Sequence, residues 1–178
     1  WLAGLFGSRE AFVRELDRLF TLESDEMQLD VSDVTGLMGQ YAHGNEPSHH
    51  MAYLYNYVGQ PWRTQELTRS LLHGMYAPTP AGIIGNEDCG QMSAWYIFTA
   101  MGFYPVCPGT DQYVPGAPYL PYMKVRVGEG RYLEIKAPGV SSKNRYVHRV
   151  KLNGKPYTRA YITYADLKGG AVLEFDMR

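Results

Sequence analysis

Gly85-Asn86-Glu87-Asp88-Cys89-Gly90-Gln91-Met92-Ser93-Ala94-Trp95-Tyr96-Ile97-Phe98-Thr99-Ala100-Met101 joins a dense polar cluster to the most apolar segment of the chain. From about Gly90 to Met101 the residues Met92, Trp95, Tyr96, Phe98 and Thr99 fall on nearly every face of a helix, and that pattern predicts a buried helix rather than a surface one. Gly102 follows as its cap. A helix buried all round needs other elements to cover it, and the polar groups at its start need partners, because burying them unpaired is costly.

Upstream the covering elements read as helices. Ser8 is a candidate N-cap, with Ala11, Phe12, Leu16, Leu19 and Phe20 at helical spacing behind it. A second segment begins at Glu46 or Pro47, continues through Met51, Leu54, Tyr55 and Val58, and stops at Gly59. Pro61 opens a third, through Trp62, Leu67, Leu71 and Met75, which Pro78 and Pro80 end. Residues 103–121 hold five of the 11 prolines and no helical period, so they read as a long ordered loop. Beyond it the period becomes two. Met123, Val125 and Val127 alternate with charged neighbours, and residues 132–135, 146–152 and 172–175 read as strands. Asn153-Gly154 is a type I′ hairpin signal, since both central positions take positive φ. The expected fold is therefore mainly α then β, with helices over residues 1–120 and a small antiparallel β unit over 121–178. Successive helices with short loops suit a bundle or an α/α toroid, and four are too few to close a toroid. With Trp1 in place of an initiator Met, the expectation is a piece of a larger protein.

At 178 residues the chain can build one good core or two small ones. Its net charge of −1 argues against nucleic-acid and polybasic membrane-surface binding. No apolar run approaches the roughly 20 residues of a membrane span, and the first residues lack the basic region and cleavage site of a signal peptide. The 15 Tyr against 6 Phe suit a sugar-binding surface, though Tyr also fills wet interfaces between helices and sheets. Cys89 and Cys107 are separated by the buried helix, which favours two free thiols over a bridge.

Two constellations carry chemistry. In Gly44-Asn45-Glu46-Pro47-Ser48-His49-His50, Asn45 and Glu46 place hard oxygen donors at a helix start, a set that suits Ca²⁺. The same residues also read as an N-cap and its dipole partner. Adjacent histidines cannot share one helix face, so His49 and His50 do not form a zinc pair. In residues 85–91, the carboxylates of Glu87 and Asp88 lie between the amides of Asn86 and Gln91, and such groups serve as general bases, metal ligands or caps. Phe103-Tyr104-Pro105-Val106-Cys107-Pro108-Gly109 reads as a turn with aromatic packing, and His43 and His73 as structural histidines.

In series, these two blocks together with Tyr53-Leu54-Tyr55-Asn56, Gly59-Gln60-Pro61-Trp62, Met92-Ser93-Ala94-Trp95-Tyr96 and Gly102-Phe103-Tyr104-Pro105 resemble glycoside hydrolase family 92. The likeness implies an N-terminal β-sandwich followed by an (α/α)₆ toroid, with this chain as the toroid's last helices and the β unit after them. It implies an inverting, Ca²⁺-dependent exo-α-mannosidase that trims mannose-terminated glycans, in a bacterial periplasmic or secreted protein. Asp88 matches the general base. Asn86 stands where many members carry a second carboxylate, which leaves Asp88 alone here. Asn45 and Glu46 match the calcium and sugar block. His49, His50, Gln91 and Glu87 fall at substrate-contact positions. The general acid is a Glu expected upstream of Gly4, so the fragment alone is expected to be inactive. Two other readings compete: a non-catalytic carbohydrate-binding module, and an interaction domain in which both clusters are only caps.

Overall fold

The computed structural model describes residues 2–22 and 34–178. A short helix α1 (Leu2–Leu5) leads into α2 (Arg9–Thr21). Ser8 caps α2 as expected, its hydroxyl accepting from Ala11 N at 3.0 Å. Phe12, Leu16 and Phe20 line its buried face. A two-residue ribbon, β1 (Leu37–Met38) and β2 (Tyr41–Ala42), precedes two 3₁₀ segments, Glu46–Ser48 and Met51–Val58. The longer of these corrects the expected α-helix. Ala52, Tyr55 and Val58 recur every third residue, the period at which a 3₁₀ turn eclipses its side chains, and eight residues are too few to separate that from 3.6. Gly59 ends it in the left-handed region at φ +80°.

Helices α3 (Pro61–Gly74) and α4 (Gln91–Met101) follow, with Gly90 and Gly102 flanking α4 at φ +92° and +94°. Met92, Trp95 and Thr99 are buried, yet Ile97 is 48 % exposed, so α4 is covered on most faces rather than all. One core gathers Phe12, Leu16 and Phe20 of α2, the tyrosines Tyr41, Tyr53 and Tyr55, Leu71 and Leu72 of α3, and Trp95 of α4.

The expected loop after α4 holds two strands, β3 (Phe103–Tyr104) and β4 (Gln112–Pro115). They pair antiparallel with each other, and β4 pairs with β9 (Ile162–Thr163), so this three-stranded sheet draws on both sides of residue 120. The remaining strands are β5 (Tyr122–Gly128), β6 (Arg131–Lys136), β7 (Val147–Leu152), β8 (Lys155–Pro156) and β10 (Ala171–Met177), with the single-turn helix α5 (Tyr164–Leu167) between β9 and β10. Their order is β5-β6-β10-β7-β8. This unit is not wholly antiparallel: β10 runs parallel to β6 and antiparallel to β7. Period-two alternation marks which face a residue takes and carries nothing about strand direction. Asn153 and Gly154 take φ +51° and +77°, completing the β7–β8 hairpin. Leu133, Ile135, Leu173, Phe175 and Met177 form a second core, joined by Met101 from the end of α4 and Phe103 of β3. Helix α3 is tied to this sheet by Gln65 Oε1, which accepts from Val147 N at 3.1 Å, and by Glu66, which accepts from the Tyr146 hydroxyl. No helix among the described residues is long and apolar enough to cross a membrane.

Candidate active site

The two polar loops meet backbone to backbone. A Cβ placed on Gly85 would lie 3.3 Å from Gly44 Cα and 2.8 Å from Thr35 Oγ1, and one on Gly44 would lie 2.0 Å from the same oxygen. Only glycine fits at either crossing point. The 44–50 and 85–91 segments are therefore in direct contact at these two glycines.

Beneath them lies a buried platform of rings. His43 stacks on His49 at 4.9 Å and meets Trp95 edge-on at 4.4 Å. Each nitrogen of both imidazoles has a partner. His49 Nε2 lies 2.9 Å from the His43 carbonyl, which requires the proton on Nε2. Its Nδ1 then accepts from Gln91 Nε2 at 3.2 Å. The Tyr76 hydroxyl donates to Met92 O at 3.3 Å, so it accepts from His43 Nε2 at 2.8 Å. That leaves His43 Nδ1 to accept from the Tyr41 hydroxyl at 2.9 Å. Both histidines are neutral. Burial, with His49 adjacent, pushes His43 down to about 3, and burial likewise lowers His49. Trp95 Nε1 donates to the His49 carbonyl at 3.2 Å, which fixes the first loop to α4.

The second loop enters α4 through a reversed turn. Asp88, Cys89 and Gly90 have φ of +46°, +58° and +92°. Each of the two non-glycine residues costs about 1–2 kcal/mol in that region, and strain of this kind gathers at functional positions. The turn feeds the helix start completely. Gln91 N bonds Asp88 O, Met92 N bonds Glu87 O, and Ala94 N bonds Gly90 O. The remaining donor, Ser93 N, goes to Glu87 Oε1 at 3.0 Å, while Ser93 Oγ donates to Glu87 Oε2 at 3.0 Å. Glu87 is thus occupied as a helix cap. Asp88 spends its carbonyl on the helix and keeps its carboxylate exposed, with no hydrogen bond or ion pair among the described residues.

The other expected site residues divide in the same way. Gln91 Nε2 is shared between His49 and the Tyr104 hydroxyl, the latter at 3.0 Å. His49 is 1 % exposed, so here it offers neither nitrogen to a ligand. His50 lines a cleft with Phe12, Leu54, Tyr57 and Val106, to which no residue of the 85–91 loop contributes. Asn86 is exposed, as is Asn45, whose side chain makes no capping bond. Glu46 Oε1 is buried without a hydrogen-bond partner among the described residues, and Thr35 Oγ1 shares that condition. Sequence reasoning missed Thr35, Tyr41 and Tyr76 as supports of the site, and read Tyr104 only as part of a turn with aromatic packing. Nothing in their spacing marks them, since each reaches the site from a different element. Cys89 and Cys107 are free and exposed, as expected.

The model of the glycosyl hydrolase family 92 catalytic domain matches residues 1–178. An uncharacterized secreted glycosidase of Arthroderma benhamiae is 29% identical over 179 residues, spanning 99% of this chain and 21% of that protein. The family GH92 α-mannosidase BT3965 of Bacteroides thetaiotaomicron, in complex with mannoimidazole, superposes with a TM-score of 0.90 at 44% identity, over 96% of this chain and 22% of that one. The inverting mannosidase BT2199 of the same organism gives 0.82 at 37% identity, over 99% and 25%. This chain spans about a fifth to a quarter of the length of these relatives. On the match along its whole length, the chain belongs to glycosyl hydrolase family 92.

Proposed function

We propose that this chain is part of an inverting exo-α-mannosidase in which Asp88 is the general base. The observation that carries the proposal is the loop crossing at Gly44 and Gly85. It joins a carboxylate held out to solvent by a left-handed turn to a loop whose Glu46 has a buried, unpartnered oxygen. The Asp88 side chain is exposed and has no partner among the described residues, the position from which a carboxylate can take a proton from water. Glu87, Gln91 and the two buried histidines hold the turn in place. The relatives named as α-mannosidases direct the proposal to terminal α-mannosides of glycans.

Calcium fits the first loop in kind. A buried carboxylate oxygen without a donor is one that a cation would complete, and hard oxygens such as those of Glu46 and Asn45 suit Ca²⁺. Among the described residues no three His, Cys, Asp or Glu side chains gather to hold a metal, so Asn45 and Glu46 would be part of a shell completed by other oxygens. The bound ion would contact sugar hydroxyls and help distort the ring. Inversion needs a second carboxyl group about 6.5–9.5 Å from the base. In this proposal that acid lies outside these residues, with the β-sandwich and the rest of an (α/α)₆ toroid, and the 178-residue chain alone is inactive. A periplasmic or secreted location goes with the proposal.

The test is mannose release from an α-mannobiose by the intact protein, with calcium and with a chelator. Release should stop on chelation and return with calcium. Asp88→Asn should lower the rate about 10²–10⁴-fold with the fold kept, because Asn tolerates positive φ. Unchanged turnover in that variant would refute the assignment. It would favour instead a reading in which the second cluster is only a cap, as Glu87 is, with the base elsewhere in the protein.

A further inference from the structure

We infer that the cleft between α3 and the 141–145 loop binds an oxyanion, as the phosphate, sulfate or carboxylate of a substituted sugar or as the free ion. The cleft, of about 510 Å³, is lined by Glu66, Arg69, His73, Tyr119, Ser141 and Arg145. It shares no residue with the 44–50 and 85–91 loops.

The charge balance carries the inference. Arg69 has no carboxylate within ion-pair distance among the described residues. Its guanidinium lies over the Tyr119 ring at 5.3 Å and donates to the neutral Ser141 carbonyl at 3.0 Å, which fixes its plane and leaves most of its five donors unused. Burial is the main cause that pushes its pKa down, with Tyr119 opposing and the nearby Arg145 adding to the fall. The one acid at the site is already shared. Glu66 lies 3.7 Å from Arg63 and 3.9 Å from Arg145, and accepts from the Tyr146 hydroxyl. The cleft is therefore electropositive, with a preset guanidinium fork, a form suited to planar or tetrahedral oxyanions. The Ser141 hydroxyl accepts from Asn144 N at 2.9 Å and retains its own proton to donate. The Tyr119 ring adds a partly buried wall on which the apolar face of a sugar could rest.

The experiment is calorimetric titration of the intact protein with inorganic phosphate, mannose and mannose 6-phosphate, repeated on Arg69→Met and Arg145→Met. Phosphate should bind saturably. Either substitution should weaken it about tenfold or more, the loss expected for a hydrogen bond to a charged group. Mannose 6-phosphate binding more tightly than phosphate would identify an anionic sugar, and equal binding the free ion. Arg145 is surface-exposed, so its variant tests the site even if Arg69→Met unfolds. Mannose release should be unchanged in both, which separates this site from the proposed catalytic one. Absence of saturable phosphate binding, or equal affinity in wild type and Arg145→Met, would overturn the inference.

Discussion

If the Gly44–Gly85 crossing is a steric lock, Gly44→Ala should damage the protein in a way that Thr35→Ala repairs. A Cβ on Gly44 would sit 2.0 Å from Thr35 Oγ1, with Thr35 Cβ and O next at 3.2 Å each. The first contact is impossible and the other two are merely tight. Overpacking of this kind costs about 1–3 kcal/mol. Thr35→Ala deletes the colliding oxygen. That oxygen is also buried without a partner, so its loss alone should be neutral or stabilise by up to about 1 kcal/mol. The double variant should recover at least half of the Gly44→Ala loss, a coupling of about 0.5–3 kcal/mol between neighbours. Gly85→Ala is the internal control. It meets Thr35 Oγ1 at 2.8 Å, but also Gly44 Cα at 3.3 Å, and its φ of +72° adds about 1–2 kcal/mol that Thr35→Ala cannot return. Urea unfolding followed by tryptophan fluorescence would measure all five proteins. Equal cost of Gly44→Ala in both backgrounds would show that the loops are not held apart by this contact.

Three further outcomes follow from the site. Gln91→Leu leaves His49 Nδ1 and the Tyr104 hydroxyl without their donor, and should cost about 1–3 kcal/mol in urea unfolding; a loss below about 0.5 kcal/mol would argue against the bridge. Glu87→Gln should lower stability by about 0.3–1 kcal/mol through the helix end and leave KM for mannosides unchanged; a raised KM would restore Glu87 as a substrate contact. His43 is neutral when folded and protonates near 6.5 when unfolded. Stability should therefore be complete above about pH 6.5 and fall as pH drops towards about 3, with His43→Gln flattening the slope. An unchanged slope in that variant would mean that other groups drive the acid loss.

Much of this architecture could be read from local chemistry. Ser8 announces the start of α2, Gly102 the end of α4, and Asn153-Gly154 the β7–β8 turn, because each is a demand of the backbone at that residue. What stayed hidden depends on partners distant in sequence. Phe103–Tyr104 and Gln112–Pro115 are strands because they pair with each other and with Ile162–Thr163, and two to four residues in a proline-rich stretch carry no period of their own. The site shows the same division. Its two blocks were visible as polar clusters beside glycines. That Glu87 caps the helix while Asp88 stays free depends on a reversed turn at Asp88 and Cys89, which neither residue type signals. His49 moved from an expected contact to a buried support because the 3₁₀ segment at Glu46–Ser48 turns it under the loop, against His43 and Gln91.

The position of β10 bears on how the molecule assembles. It is the last of the five strands in chain order and the central one in space. The β5–β6 and β7–β8 hairpins can each close early from neighbouring residues, within microseconds. Neither touches the other through the ladder until Ala171–Met177 inserts between them, parallel to one and antiparallel to the other. During synthesis, two half-sheets with open edges must therefore wait for their wedge. A chain stopped before residue 171 would keep both hairpins and lose the sheet, leaving Leu133 and Ile135 uncovered on an unpaired edge of the kind that aggregates.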